Sequence, residues 1–206
     1  MKLSSKNELN FFIRSKGLSF KDKKECNELE YIALCKDKFS DLEFISIFEY
    51  YVIHNPSMIT YNALKDKNII QVIPCSLYIK AIKNAIDLDK EDVMIEVIRN
   101  RNFKKFSAML EIGIDINAKG GMIFTQLCKY GTEDMIKFAV EMYDADPSLN
   151  DNNPILFVSK YQNLSTFKFI FKHGGIMGCR KRIIGKFLLE NAESEDDKKW
   201  IRSLCL

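Results

Sequence analysis

Phe106-Ser-Ala-Met-Leu-Glu-Ile-Gly113-Ile-Asp115-Ile-Asn117 is the stretch that decides the fold, because its phrase returns twice further on. It comes back as Met135-Ile-Lys-Phe-Ala-Val-Glu-Met142-Tyr-Asp144-Ala-Asp146-Pro147 and as Phe167-Lys-Phe-Ile-Phe-Lys-His173-Gly174-Gly175. Each copy is an apolar run at helical spacing that closes on Gly or Asp, residue types suited to the end of a helix. A shorter apolar run precedes each copy, at residues 93–98, 122–128 and 155–158. The unit is therefore two antiparallel helices joined by a tight turn and followed by a loop. Setting Gly113, Asp144 and Gly175 in register gives an interval of 31 residues both times. A fixed period of that length marks a stacked helical repeat, in which each hairpin buries its apolar face only against its neighbours.

In these residues the chain resembles the ankyrin repeat, a unit of about 33 residues built as helix, turn, helix and outward loop. That family follows its second helix with Gly-Ala-Asp and an Asn in the loop, and Ile112-Gly113-Ile114-Asp115-Ile116-Asn117 is the best copy here. Asp144-Ala145-Asp146-Pro147 keeps Ala-Asp-Pro with one residue inserted. Asn153-Pro154-Ile155 stands where the family opens its first helix with Thr-Pro-Leu, Asn153 as cap and Pro154 at the first helical position; Gly121-Met122-Ile123 lacks the proline. Gly131 matches the inter-helix turn, whereas Arg101 and Gln162 occupy the corresponding places in the other repeats.

The resemblance covers residues 91–175 and implies an all-α fold, a single helical-hairpin solenoid of ankyrin-repeat type. At least three stacked units are needed for stability. Residues 1–90 are accordingly expected to supply degenerate repeats or an N-terminal cap. Residues 176–206 are expected to form a C-terminal cap, with Ile183, Ile184, Phe187, Leu188 and Leu189 as its apolar face and Trp200 closing the core.

Working outward, residues 7–16 read as a helix with Leu9, Phe11, Phe12 and Ile13 on its apolar side, ended by Gly17. A second stripe is Leu29, Tyr31, Ile32, Leu34 and Cys35, preceded by a solvated lysine cluster, Lys21, Lys23 and Lys24. Ser40 before Asp41-Leu42-Glu43 has the form of an N-cap with acidic residues in the first turn. The helix it starts, 44–53, has little polar face and should be covered on both sides, ending before Pro56. Residues 60–67 and 74–86 read as a further helical pair, the second with a stripe of Leu77, Ile79, Ala81, Ile82 and Ala85 and a turn beginning at Asp87. Residues 68–73 between them fit a strand or a helix, since short apolar runs cannot be decided by periodicity.

Composition is that of an ordinary folded protein: 47% of the 206 residues are hydrophobic and 29% charged, with 31 basic against 28 acidic side chains. The resulting +3 gives only weak whole-molecule attraction to phosphate. Six cysteines are scattered with no Cys-x-x-Cys pair, most of them in apolar runs, which reads as reduced thiols in an intracellular protein. No segment approaches the roughly twenty uncharged residues of a membrane span, and the first residues lack a secretory apolar core. A cytoplasmic protein is expected, without membrane association. Heavy use of Lys, Asn, Ile and Phe fits an AT-rich genome such as that of many viruses, phages and Firmicutes.

No catalytic constellation is present. The two histidines, His54 and His173, have no ligand-type neighbours at metal spacing, so neither metal nor cofactor is expected. His173 falls where ankyrin repeats carry a histidine before glycine, a structural position. Gly120-Gly121 and Gly174-Gly175 are isolated pairs that suit turns and not a phosphate loop. The acidic run Glu193-Ser-Glu-Asp-Asp197 lacks calcium-loop spacing and reads as a solvated helix start. Two basic clusters are notable: Arg99, Arg101, Lys104 and Lys105, and Arg180, Lys181, Arg182 and Lys186. They read as solvated faces, as contacts for an acidic protein, or as a nucleic-acid site that lacks interleaved aromatic residues.

The resemblance implies a non-catalytic protein-binding module, because repeat stacks contact partners through loop tips and first helices. Contact positions would be Asn117, Lys119, Asn150, Asp151 and Asn152 in the loops, and Gln126, Lys129, Tyr130, Lys160 and Tyr161 on the first-helix face. Small ankyrin-like proteins of compact viral and phage genomes act as adaptors or inhibitors of host proteins, which points to a host defence factor or toxin as partner and the host cytoplasm as location. The alternative is nucleic-acid binding through the two basic clusters.

Overall fold

The computed structural model describes residues 2–22, 25–85 and 88–205. Every regular element among them is helical and none is a strand. Lys23, Lys24, Ile86 and Asp87, which the sequence places in the lysine cluster and at the end of the 74–86 helix, lie outside the described residues. Two compact units divide the chain, Met1–Met109 and Leu110–Leu206.

In the first unit, α1 (Lys6–Ser15) is capped by Ser5, whose side chain accepts from the Glu8 N–H, and Gly17 follows its last turn at φ 72°. Leu9 and Ile13 are buried, but Phe11 is 77% exposed: the helix presents one narrow face to its neighbours, and Phe11 points away from it. α2 (Glu28–Leu34) opens on a reciprocal Asn27–Glu30 cap and buries Leu29, Ile32 and Ala33. Leu34, expected in that stripe, is 71% exposed for the same reason. α3 (Asp41–His54) starts at the Ser40 cap, completed by Glu43, and buries Phe44, Ile47, Phe48, Tyr50, Tyr51 and Val52. Its breadth of burial matches the apolar character of the segment on nearly all sides.

The segment from Thr60 breaks into two short helices, α4 (Tyr61–Leu64) and α5 (Lys67–Val72). α5 resolves the ambiguous run as helix, because the Asp66 carboxylate accepts from the N–H groups of Asn68 and Ile69 and so starts a new turn. α6 (Cys75–Asn84) follows Pro74 and buries Tyr78, Ala81 and Ile82, with Leu77 and Ile79 only half-buried. α7 (Lys90–Arg99) is capped by Asp89, and α8 (Phe103–Glu111) runs across the division between the units.

Side-chain hydrogen bonds within this unit have a regular reach. Asn27 donates to the Met58 carbonyl, Thr60 to Glu30, Asn68 to the Ala33 carbonyl, Asn84 to the Val52 carbonyl and Asn102 to the Ile70 carbonyl. Each joins residues 30 to 35 positions apart. Four of these acceptors are carbonyls in helix ends or turns, groups that helix geometry leaves without internal partners.

The second unit contains α9 (Ala118–Tyr130), α10 (Glu133–Tyr143), α11 (Leu149–Tyr161), α12 (Leu164–Lys172), α13 (Lys181–Glu190) and α14 (Glu195–Cys205). α9 and α11 begin and end 31 residues apart, as do the Thr132 and Asn163 caps of α10 and α12. α11 packs against α9, α12 and α13, while α10 packs on α12 and α13 on α14. The core is apolar and contiguous with these contacts: Ile123, Phe124, Leu127, Met135, Ile136, Ile155, Val158, Phe167, Ile170, Ile184 and Ile201 are all fully buried. Trp200 is half-buried and meets Phe167 edge-on at 6.4 Å.

The period is kept by loops as well as helices. Asp115 and Asp146, 31 apart, each accept from the N–H two residues on, of Asn117 and Ser148. Each is followed by a left-handed turn, Lys119-Gly120-Gly121 (φ 55°, 63°, 83°) and Asn150-Asp151-Asn152 (φ 52°, 53°, 58°). The residues that close the second helices in left-handed geometry are Gly113, Asp144 and Gly174, so the third falls one residue before the Gly175 expected from spacing. No helix among the described residues is long and apolar enough to cross a membrane.

Candidate interaction face

The structure separates the ten expected contact positions into two groups. Those in the loops mostly hold the loops together. Asn117 donates its amide to the Asp144 carbonyl (3.0 Å) and accepts from the Asp146 N–H (2.9 Å), tying consecutive loops. Asn150 donates to Thr125 Oγ1 (2.9 Å), which itself donates to the Gly121 carbonyl (2.8 Å). Asn152 is half-buried, its amide oxygen lacking a hydrogen-bond partner, as does that of Gln126 on α9. Lys119 and Asp151 alone of the loop set are exposed. Asn153, read as a cap, instead accepts from Arg180 Nη1 at 2.6 Å.

Four of the five helix-borne positions, Lys129, Tyr130, Lys160 and Tyr161, come together. Lys129 and Tyr130 end α9, and Lys160 and Tyr161 end α11, one 31-residue period later. The Lys129 ammonium lies 4.6 Å from the Tyr130 ring centre, 5.7 Å from that of Phe157 and 5.8 Å from that of Tyr161. The Lys160 ammonium lies 5.0 Å from Tyr161 and 5.6 Å from Phe187 on α13. Phe157 and Tyr161 meet at 5.9 Å. The result is a continuous row in which cations and rings alternate across α9, α11 and α13, each contact within the range where the ring quadrupole attracts a cation. Tyr161 is 45% exposed, so the row opens to solvent.

Phe157 and Phe187 are the members that spacing did not single out. Phe157 is legible afterwards as the residue one helical turn before Tyr161. Phe187 was read as cap core, and only packing of α13 on α11 brings it to the row.

On the second helices, Glu133 at the start of α10 binds Lys137 (2.6 Å), Asn163 (2.8 Å) and Ser165 (3.1 Å). These partners, Lys137 first and then Asn163, hold its carboxyl down at about 2, against an ordinary 4.5.

The two basic clusters are smaller than their sequence suggests. In the first unit Lys105 is buried, with its ammonium donating to the Ile73 carbonyl and lying 5.1 Å from the Tyr78 ring; burial pushes its pKa down. Arg99 pairs with Glu96 at 2.7 Å, while Arg101 and Lys104 are exposed. In the second unit Arg180 is engaged by Asn153 and Lys186 lies 4.0 Å from Glu190, while Lys181 and Arg182 are exposed. Among the described residues no group of three or more His, Cys, Asp or Glu side chains is placed to hold a metal ion. No protein-family model, curated protein or solved structure matches the chain.

Proposed function

We propose that this chain is a non-catalytic protein-binding module of divergent ankyrin type, an adaptor or inhibitor of a host protein such as a defence factor or toxin. The observation that carries the reading is the recurrence of Lys-Tyr at 129–130 and 160–161 on one face of two packed helices. A partner meets there large, half-exposed aromatic surface flanked by cations, the side-chain chemistry that dominates protein interfaces. The 31-residue recurrence of helix limits, Asp turns and left-handed turns supports the repeat assignment. The hydrogen bonds of 30 to 35 residues' reach in the first unit support degenerate repeats there. The host assignment draws on the resemblance and on the AT-rich flavour of the composition.

The test is capture of partners by the tagged, full-length chain from nuclease-treated host lysate, in parallel with Lys129→Glu/Lys160→Glu. The expected outcome is one stoichiometric protein that the double variant no longer retains, with an unchanged melting temperature. A partner retained equally by both proteins removes the face from the proposal. Recovery that vanishes with nuclease transfers the argument to Arg101, Lys104, Lys181 and Arg182, where binding should fall steeply with salt.

A further inference from the structure

Apart from the row of rings and cations, we infer that a groove on the α13–α14 hairpin seats an amphipathic helix of a protein partner, its apolar stripe flanked by carboxylates. The two helices meet where Gly185 faces Cys205. A Cβ at Gly185 would lie 2.4 Å from the Cys205 Sγ, which itself donates to the Lys181 carbonyl at 3.5 Å. Over that contact opens a groove of about 780 Å³. Its apolar lining is Gly185 and Ile201, both buried, with Leu189 and Cys205 half-buried. The residues that α13 contributes, at 182, 185, 186, 189 and 190, share one helical face, whereas Ile184 and Leu188 on the opposite face belong to the core.

Backbone chemistry decides that the occupant is a helix. Both walls are helices, whose backbone groups bond within each helix, so the groove has no edge with which an extended chain could pair. An occupant must satisfy its own N–H and C=O groups, as a helix does. From Arg182 to Glu190 the wall runs about 12 Å, two turns for a helix laid along it. Charge decides that its flanks are acidic. Three of the four charged lining residues are cations, and only Lys186 has a carboxylate near it, Glu190 at 4.0 Å. Arg182 and Arg202 are exposed and make no ion pair or side-chain hydrogen bond among the described residues. Glu195 is held by Lys198 at 2.8 Å and feels Arg202 only at longer range. Carboxylates beside an apolar stripe would give each guanidinium a charge-assisted partner. None of the lining residues is aromatic, so single-stranded nucleic acid would find no ring there on which to stack a base.

The experiment is fluorescence anisotropy of the full chain with three labelled peptides of about eighteen residues, five helical turns. The first is an Ala-based helix with a Leu stripe flanked by Glu; the second has Lys in place of Glu; the third is the first with a central Pro, which breaks the helix. The Glu peptide should bind saturably, and each of the others at least about tenfold more weakly. Arg182→Glu/Arg202→Glu, at two exposed positions, should lose the Glu peptide by at least the same factor with unchanged melting. Lys129→Glu/Lys160→Glu should bind it as the parent chain does. The inference is overturned by absent saturable binding, by equal binding of the Lys or the Pro peptide, or by binding that follows Lys129 and Lys160 instead of Arg182 and Arg202. A dimer in sedimentation velocity that Arg182→Glu/Arg202→Glu dissolves would give the groove to a second copy of the chain and overturn it as well. Because the two double variants address separate surfaces, loss of the groove leaves the row on α9, α11 and α13 standing, and the reverse.

Discussion

Glu133 gathers three polar partners, Lys137, Asn163 and Ser165, and it shows what spacing alone cannot reveal. It sits in the first turn of α10, where the helix dipole favours a negative charge. It also reaches Asn163 and Ser165, at the cap and first turn of α12, thirty and thirty-two residues on. Its carboxyl is held from 4.5 down to about 2 in the folded chain. Between those values the unfolded chain binds the extra proton, so stability rises with pH through that window and the contribution is lost as pH falls through it. In urea unfolding from pH 2 to 6, Glu133→Gln should show a smaller rise than the parent chain. Above pH 5 it should be less stable by about 1 kcal/mol, the usual net worth of a hydrogen bond to a charged group at a half-exposed site. Parallel curves would mean that the three partners do not act on the carboxylate. Hydrophobic periodicity locates the helix that carries Glu133, but its partners depend on how α12 is placed, which no local pattern states.

The left-handed turns in the opening residues of α9 and α11 are where local chemistry and repeat geometry coincide. Lys-Gly-Gly and Asn-Asp-Asn occur at the same phase, and Gly, Asn and Asp are the residue types that visit positive φ most readily. Gly120 and Gly121 separate the backbone cost from the packing cost. At Gly120 (φ 63°) an added Cβ meets nothing within 4 Å, whereas at Gly121 (φ 83°) it would lie 2.5 Å from Leu149 Cβ. Gly120→Ala should therefore cost about 1 kcal/mol, the left-handed penalty alone. Gly121→Ala should cost several kcal/mol, since the start of α11 must move as well. Equal losses in chemical denaturation would show that this close approach does not hold. The glycine pair was readable as a turn, the Asn150–Asn152 run only as a loop. The cap at Ser40 is legible because it rests on adjacent residues, while those at Asp89 and Thr132 emerge only in the structure. Which apolar residues are buried is less legible: Phe11 and Leu34 fit helical stripes yet face solvent, and within the apolar run from Phe167 to Lys172 Phe169 is half-buried while Phe167 and Ile170 are fully buried. A stripe defines a face, and only the neighbouring helix defines how wide a part of it is covered.

At the scale of the whole molecule the division at Met109 and Leu110 makes a claim about cooperativity. The chain has one tryptophan, Trp200, and it lies in the second unit against Phe167. Its fluorescence therefore reports on that unit, while helical circular dichroism reports on both. Phe167 is fully buried and stacks with Phe171 at 6.0 Å, so Phe167→Ala should remove about 3–5 kcal/mol from the unit that contains it. That is a large share of the roughly 5–15 kcal/mol typical of a domain. The buried residues of the first unit, among them Phe44, Phe48, Tyr51 and Tyr78, are untouched by the change. In urea, the Trp200 transition of the variant should move to lower denaturant by more than the circular dichroism transition, which should become broader or biphasic. Stacked repeats behave this way when the interface between neighbours is weaker than the hairpins it joins. Coincident transitions that shift together would instead show that the two units unfold as one, with the free energy lost at Phe167 felt at α1.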